Sequence, residues 1–421
     1  MLIHNISQLL TFSGGPQRGS DLGRLNILPN GAVLVRGETI AAVGAADELL
    51  AAYPHEQRFD AGGGAALPGF VDPHTHLIWA GDRAAEFEMR LEGKTYLEIL
   101  AAGGGILSTV RATRAASLEQ LKAQTRLRMQ TAFRHGTTTA EAKTGYGLEA
   151  ASELLQLQAL LELDAEGPLE LALTYLGAHA IAPEYRDNPD GYADLLCGEM
   201  LPELRRWWDA HAAGRALPFV DIFCETGAFT LAQSRRVLLA ARKLGFPLKI
   251  HADEFDNLGG ASLAAELGAA SADHLVKTST ADIAALAASG TVAVALPCTP
   301  FGLAEPHYTP ARQILAAGGL LALASDLNPG TAWCENMQFV IALACRYLGL
   351  TPAQAVAAAT INAAAAVGRS ERVGSLEPGK QADLIVLSVP DYRHLGYRFG
   401  GNLVKHVIKK GRVYTNGNDE V

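Results

Sequence analysis

The sequence predicts an α/β fold: a (β/α)8 barrel of the TIM type with a small β-sandwich domain formed from the N- and C-terminal segments. Three observations carry this. Apolar strand-like runs alternate with Ala- and Leu-rich helical stretches eight times between residues 66 and 366. The segments on either side are built of short β-type runs instead. Polar residues recur where the apolar runs end, beginning with His74-Thr75-His76. Apolar strands alternating with helices imply a parallel sheet covered on both faces. Eight such units suit a closed barrel.

Residues 1–65 hold the runs Leu2-Ile3-His4-Asn5, 31–40 and Ala41-Ala42-Val43-Gly44, broken by Gly and Asn, with a short helix expected over Ala45–Tyr53. They carry no evident chemistry and read as half of the sandwich. In the barrel, residues 66–366, strands are expected at Gly69–Pro73, Thr137–Ala142, Leu169–Leu176, Phe219–Cys224, Leu248–His251, Ala272–Leu275, Thr291–Ala295 and Leu320–Ala324. Helices are expected at Ser117–Arg134, Leu148–Leu163, Thr230–Leu244, Leu258–Leu267 and Thr280–Ala288. An open doubly wound sheet is the alternative. It is disfavoured because no Gly-x-Gly-x-x-Gly turn follows the first strand, and Gly103-Gly104-Gly105 lies too far on. Residues 367–421 return to β-type sequence at 374–387 and 404–414, with a turn at Glu377-Pro378-Gly379-Lys380. The two ends are expected to meet as one small domain.

A chain of 421 residues, 49% hydrophobic and 19% charged, supports a large globular core. Its net charge of −9, without a basic stripe, argues against nucleic acid. No uninterrupted apolar window is long enough to span a bilayer, and Met1–Gly15 lacks a cationic leader pattern. The cysteines, Cys197, Cys224, Cys298, Cys334 and Cys345, are odd in number, dispersed and free of any Cys-x-x-Cys. That disfavours a disulfide framework and a thiolate zinc site, and a cytoplasmic location is expected.

Chemistry in a barrel gathers at the C-terminal ends of the strands. His74 and His76 lie two apart, so a strand end would point both the same way. Past the later strands come Glu141 and Lys143, His179, Glu225, His251 with Glu254, His274, and Asp326. Any one of these residues could be an ordinary hydrogen-bonded polar group. Five of the twelve histidines at predicted strand ends are poorly explained as independent accidents. A borderline metal ion takes imidazole nitrogen and carboxylate oxygen and keeps a position open for water. His74, His76, His251 and Asp326 meet that need. Glu254 is then the candidate base, and His274 the group that polarises a carbonyl or steadies its oxyanion.

Pro68-Gly69-Phe70-Val71-Asp72-Pro73-His74-Thr75-His76, His251, His274 and Asp326, with the flanking β halves, resemble the amidohydrolase superfamily over nearly the whole chain. Within it, Trp79-Ala80-Gly81-Asp82-Arg83, Gly103-Gly104-Gly105-Ile106, 143–147, Leu176-Gly177-Ala178-His179, 251–255 and 325–330 look like the imidazolonepropionase family. That resemblance implies hydrolytic ring opening of 4-imidazolone-5-propanoate, a small anionic heterocycle, to N-formimidoyl-L-glutamate in histidine degradation. It implies one Zn2+ or Fe3+ per subunit on His74, His76, His251 and Asp326, with Glu254, His274 and Asp326 catalytic. It further implies that Arg83 takes the propanoate, that Tyr96, Tyr146, His179 and Glu254 line the pocket, and that Asn328, Gly330 and Thr331 grip the substrate. A guanidinium fork suits a carboxylate, and tyrosines suit a flat polar ring. Lys143 is read as a charge partner, so one metal is expected. A homodimer is expected from size and resemblance. The alternatives are a superfamily enzyme acting on another cyclic amide, amidine or nucleobase, such as a deaminase, and a non-catalytic barrel protein.

Overall fold

A computed structural model of the chain describes residues 1–94, 98 and 103–416. Eight parallel strands follow one another round the barrel in chain order. They are β1 (Phe70–Asp72), β2 (Thr137–Lys143), β3 (Glu170–Ala178), β4 (Phe219–Cys224), β5 (Lys249–Ala252), β6 (Ser271–His274), β7 (Val292–Ala295) and β8 (Leu321–Leu323). Each falls where the sequence predicts it. The seam between β8 and β1 is closed just beyond the strand ends. There His76 N donates to Leu327 O (2.9 Å) and Asp326 N to His74 O (3.1 Å). The Ser325 amide and hydroxyl both donate to the Asp72 carboxylate. Closure and ligand placement therefore use the same residues.

The strands show the two-residue alternation of a sheet with different surroundings on its two faces. Ala140, Ala142, Leu171, Val220, Ile222, Ile250 and Ala272 belong to the apolar core. The alternate residues Glu141, Lys143, Thr174, Asp221, Lys249 and Asp273 are buried, polar and bonded or ion-paired across the barrel. Four surrounding helices start with a reciprocal capping box. These are Leu118–Arg134, Leu231–Lys243, Thr280–Ala288 and Pro352–Ala358, capped by Ser117, Thr230, Ser279 and Thr351. Gly105, in the expected Gly-rich loop, immediately precedes the helix Ile106–Ala115.

The chain ends form one mixed sheet. Leu384–Leu387 pairs antiparallel with Ala66–Pro68, which pairs with Leu2–Leu10, so the C-terminal strands continue the N-terminal ones. The sheet curls round Ile3, Ile6, Val33, Leu384, Val386 and Ile408. Ile40 N donates to Lys380 O and Ala382 N to Glu38 O, drawing its ends together. Pro68 is still part of this sheet, and the barrel begins at Phe70. Gly69 makes the crossing; a Cβ there would lie 2.3 Å from Thr138 Cγ2.

Sheet and barrel are joined by buried charge. Lys409 donates to Glu170 at the foot of β3 (2.6 Å) and to Asp383 (2.7 Å). Arg372 and Gln381 add donors to Glu170. Burial pushes the Glu170 carboxyl up, but Lys409, Gln381 and Arg372 outweigh it and hold its pKa at about 2. The ordinary value is 4.5. The depressed pKa makes this contribution full above pH 4.5, and it is lost as pH falls toward 2. The shift corresponds to about 3 kcal/mol. Lys409→Met, which removes the buried ammonium shared by Glu170 and Asp383, is expected to cost about 3 kcal/mol and to lower the thermal midpoint at pH 7. It is also expected to flatten the fall in midpoint between pH 4.5 and pH 2 relative to the parent.

Candidate metal centre and active site

Three strands deliver the four side chains that meet at the mouth. His74 and His76 leave β1, His251 lies in β5, and Asp326 follows β8. His76 Nε2 lies 3.3 Å from His251 Nε2 and 3.6 Å from Asp326 Oδ1, and His74 Nε2 lies 3.4 Å from the same oxygen. Four ligands at about 2.0–2.1 Å from a tetrahedral ion sit about 3.3–3.4 Å from each other. The separations therefore suit a cation between these atoms. His74 Nε2 and Asp326 Oδ1 are buried with no hydrogen-bond partner among the described residues. A cation would supply what both lack. Burial, reinforced by neighbouring positive or imidazole groups, holds the pKa of His74 and His76 well below the usual value. The rings are neutral at pH 7, as metal ligation requires. The four residues predicted as ligands are thus brought together.

The second nitrogens of two ligands are held from below. Asp273 Oδ2 lies 2.6 Å from His74 Nδ1, and Asp221 Oδ2 lies 3.0 Å from His251 Nδ1. Such carboxylates select the tautomer that aims a lone pair at the metal. Lys143 bonds Asp221 (2.7 Å) and Glu141 (2.9 Å). Lys249 bonds the other Glu141 oxygen and the carbonyl of Pro73, both at 2.7 Å. His74, Glu141 and Asp273 could also converge on an ion, but the ammonium groups of Lys143 and Lys249 already stand against both of these carboxylates. Lys143 is therefore a charge partner, as its position suggested. Asp221 and Lys249 were not picked out from sequence, whereas Asp273 stands with His274 among the polar residues at the end of its strand. The signal was available: Lys249 lies two residues before His251, on the same strand face.

Above the cluster, Glu254 Oε2 lies 3.6 Å from His274 Nε2. Burial first, then Asp326 and Glu225, push the Glu254 carboxyl well above its usual range. Its loop is organised by Glu225, which accepts hydrogen bonds from the amides of Thr226, Phe255 and Asp256. His274 (φ 81°) and Asp326 (φ 55°) both adopt the left-handed backbone region as they leave their strands. Strain of this kind concentrates where side chains must be aimed. Thr299, not anticipated, donates to the second oxygen of Asp326.

Of the expected pocket residues, His179 and Tyr146 lie against this centre. The His179 ring stacks on His76 at 4.6 Å and its Nδ1 lies 3.0 Å from Gly145 O. Burial holds its pKa at about 3. Tyr146 packs against both rings. Arg83 bonds Glu86 (2.8 Å) and abuts Gly330, where a Cβ would stand 2.4 Å from its Nη1. Asn328 folds its own loop: its Nδ2 donates to Asp326 O (2.7 Å), and its Oδ1 accepts from the amides of Gly330 and Thr331. Its amide groups are engaged inside the β8 loop. Tyr96 lies outside the described residues. Arg128, missed from sequence, reaches from its helix to the carbonyls of Leu77 and Trp79 and holds the loop that leads to Arg83.

This arrangement has known counterparts. The Amidohydrolase family model matches residues 65–414, and the model "Imidazolonepropionase-like composite domain, bacteria" matches residues 31–55. The chain is 54% identical to an imidazolonepropionase of Herpetosiphon aurantiacus, over 98% of this chain and 96% of the relative. It is 50% identical to one of Chloroflexus aggregans, over 98% of both. The chain belongs to the imidazolonepropionase family. Among solved structures, a triazine hydrolase variant matches with a TM-score of 0.76 at 17% identity, over 98% of this chain and 94% of that one. Escherichia coli guanine deaminase matches with a TM-score of 0.73 at 15% identity, over 99% of both. These two share the fold. The amidohydrolase superfamily is metal-dependent, and the cluster above is the candidate metal site of this imidazolonepropionase-family chain.

The orienting carboxylates give a direct test. Asp273→Ala and Asp221→Ala are each expected to weaken metal affinity about 10- to 100-fold, read by competition with a chromophoric chelator.

Proposed function

We propose that the chain hydrolyses 4-imidazolone-5-propanoate to N-formimidoyl-L-glutamate, a step of histidine degradation. The near-full-length identity to imidazolonepropionases carries this reading. The mouth supports it with a neutral histidine cluster, a buried carboxyl and a guanidinium at the rim.

One zinc or iron ion per subunit would be held by His74, His76, His251 and Asp326. When bound, such an ion makes water acidic near neutral pH and polarises a carbonyl. The remaining work falls to the chain's own side chains. Arg83 binds the propanoate in a forked, charge-assisted contact. Tyr146 and His179, and Tyr96 by resemblance, flank the flat ring. The β8 loop of Asn328, Gly330 and Thr331 closes the rim beside Arg83. Glu254 takes a proton from the attacking water as its oxygen bonds to the ring carbonyl carbon. His274 steadies the oxygen that gains charge. Glu254 then returns the proton to the ring nitrogen as the C–N bond breaks, leaving the formimidoyl group and a carboxylic acid, which releases its remaining proton to solvent. Asp326 serves as a ligand and keeps its oxygen directed by Thr299.

Two such subunits are proposed to form a homodimer, in the cytoplasm. No helix among the described residues is long and apolar enough to cross a membrane, and the five cysteines are unpaired.

The decisive assay follows loss of ring absorbance with freshly generated 4-imidazolone-5-propanoate. Turnover is expected for the parent. Arg83→Ala should raise KM at least tenfold, as loss of a charge-assisted contact implies. Gly330→Ala, which pushes on the guanidinium, should raise KM with little change in kcat. Glu254→Gln should lose about 100-fold or more in kcat while retaining metal. The Glu254 carboxyl is a base only when ionised, so kcat/KM should fall as pH drops, and this acid limb should vanish from the residual activity of Glu254→Gln. Absence of turnover in metal-loaded protein would overturn the substrate assignment, and turnover of neutral aminopurines would put a deaminase in its place.

A further inference from the structure

The rim of the mouth holds a second guanidinium, that of Arg90, to which the hydrolase chemistry gives no part. Arg83 caps the helix Ala84–Leu91, and Arg90 lies in its last turn. Residues three, four and seven apart share one face of a helix. That face carries Arg83, Glu86 and Arg90, all half-buried, whereas Glu88 and Glu92 lie on the exposed side. Asp82, also exposed, accepts from the amide of Ala84.

Both guanidinium groups come to rest on one residue of the β8 loop. Arg83 Nη1 fills the space on Gly330 that a side chain would need. Arg90 Nη2 donates to the Gly330 carbonyl (3.2 Å). Glu86 is the carboxylate set beside them. One of its oxygens accepts from Arg83 Nε (2.8 Å) and the other from Ser108 Oγ (2.9 Å). This helix face therefore sets two guanidinium groups against one carboxylate. Burial first, then the charge of Arg83, lowers the pKa of Arg90, and Glu86 only partly offsets them. Like charges held together repel more strongly here than in open water, because the surroundings are less polar. The groups remain within reach of a solute: the Arg83 side chain keeps 19% of its surface exposed.

We propose that Arg90 is a further specificity-determining residue, which forms with Arg83 a two-guanidinium seat for the carboxylate of the substrate. The identity of that substrate rests on the hydrolase reading above; the seat itself rests on the side chains. One positive charge in excess matches one carboxylate, and a bound carboxylate relieves the repulsion between the two arginines. A neutral side chain of the same shape leaves that repulsion in place. Arg83 supplies the forked contact, and Arg90 supplies the second charge beside it. A merely structural tie to the Gly330 carbonyl would need a donor and no charge, so charge and hydrogen bond can be separated by substitution.

The test titrates the metal-loaded full chain, by calorimetry, with imidazole-4-propanoate and its neutral isostere imidazole-4-propanamide. Neither probe has a ring carbonyl to hydrolyse. The parent is expected to bind the carboxylate at least tenfold more tightly than the amide. Arg90→Gln keeps a donor for the Gly330 carbonyl and loses the charge. It should cut that preference about fivefold or more. Arg90→Lys keeps the charge, so it should retain most of the preference, and it provides the reading if Arg90→Gln does not fold. In turnover of 4-imidazolone-5-propanoate, Arg90→Gln should raise KM and leave kcat within about twofold. Equal binding of the two probes by the parent would overturn the role of Arg90. So would an undiminished preference in Arg90→Gln, or its complete loss in Arg90→Lys. The binding arm needs no turnover. A parent that leaves the imidazolone ring intact, yet shows the charge preference and its loss in Arg90→Gln, would overturn the hydrolase reading and leave the two-guanidinium seat standing.

Discussion

The structure depends on one buried layer of charge inside the barrel. Glu141, Asp221 and Asp273 face Lys143 and Lys249, and all five side chains are out of reach of water. A carboxylate or ammonium in such a place is tolerable only when paired and fully hydrogen-bonded. Here the pairing also links strands: Lys143 of β2 with Asp221 of β4, and Lys249 of β5 with Glu141 of β2. The layer therefore sets the relative positions of the strands whose next residues are metal-ligand candidates. His251 stands two residues above Lys249, and His74 follows the carbonyl that Lys249 binds. Removing one charge would disturb the strand register and the imidazole orientation together.

Upward from that layer, control passes from strand backbone to loop chemistry. Asp273 and Asp221 orient His74 and His251 from beneath. Thr299 and the left-handed turn at Asp326 orient the carboxylate from the side. Glu225 gathers the amides around Glu254, and Asn328 folds the β8 loop so that Gly330 meets Arg83. The residues nearest the reacting atoms are held by others that touch no substrate. Such preorganisation lets a mouth built of loops place polar groups to within tenths of an ångström. The flanking sheet contributes differently. It holds the first barrel strand through Gly69 and braces the foot of β3 through Lys409, far from the mouth.

Much of this was legible in the sequence because it follows from local rules. All eight barrel strands and the five named helices lie where apolar periodicity and capping residues put them. The sequence also indicated that the two chain ends meet, and the pairing of Leu384–Leu387 with Ala66–Pro68 is that meeting. His74, His76, His251 and Asp326 stood out because each follows or ends an apolar run, and they do converge. The supporting groups were less visible. Asp221, Lys249 and Thr299 sit inside runs that read as ordinary strand or turn, and their partners are far away in the chain. Asn328 was expected at the substrate, yet its amide is spent on its own loop.

The sequence by itself determined the period of each element, the identity of the groups available at each strand end, and the superfamily those groups resemble. These depend on alternation and on neighbours a few residues apart. Only the tertiary structure decided which charges neutralise which, which nitrogen of each histidine is free, and which like charges stand side by side. Glu141 and Lys249 are separated by 108 residues, and Asp72 and Ser325 by 253. Whether such groups meet is set by barrel closure, and the electrostatic cost of burial is defined only once closure has removed the water.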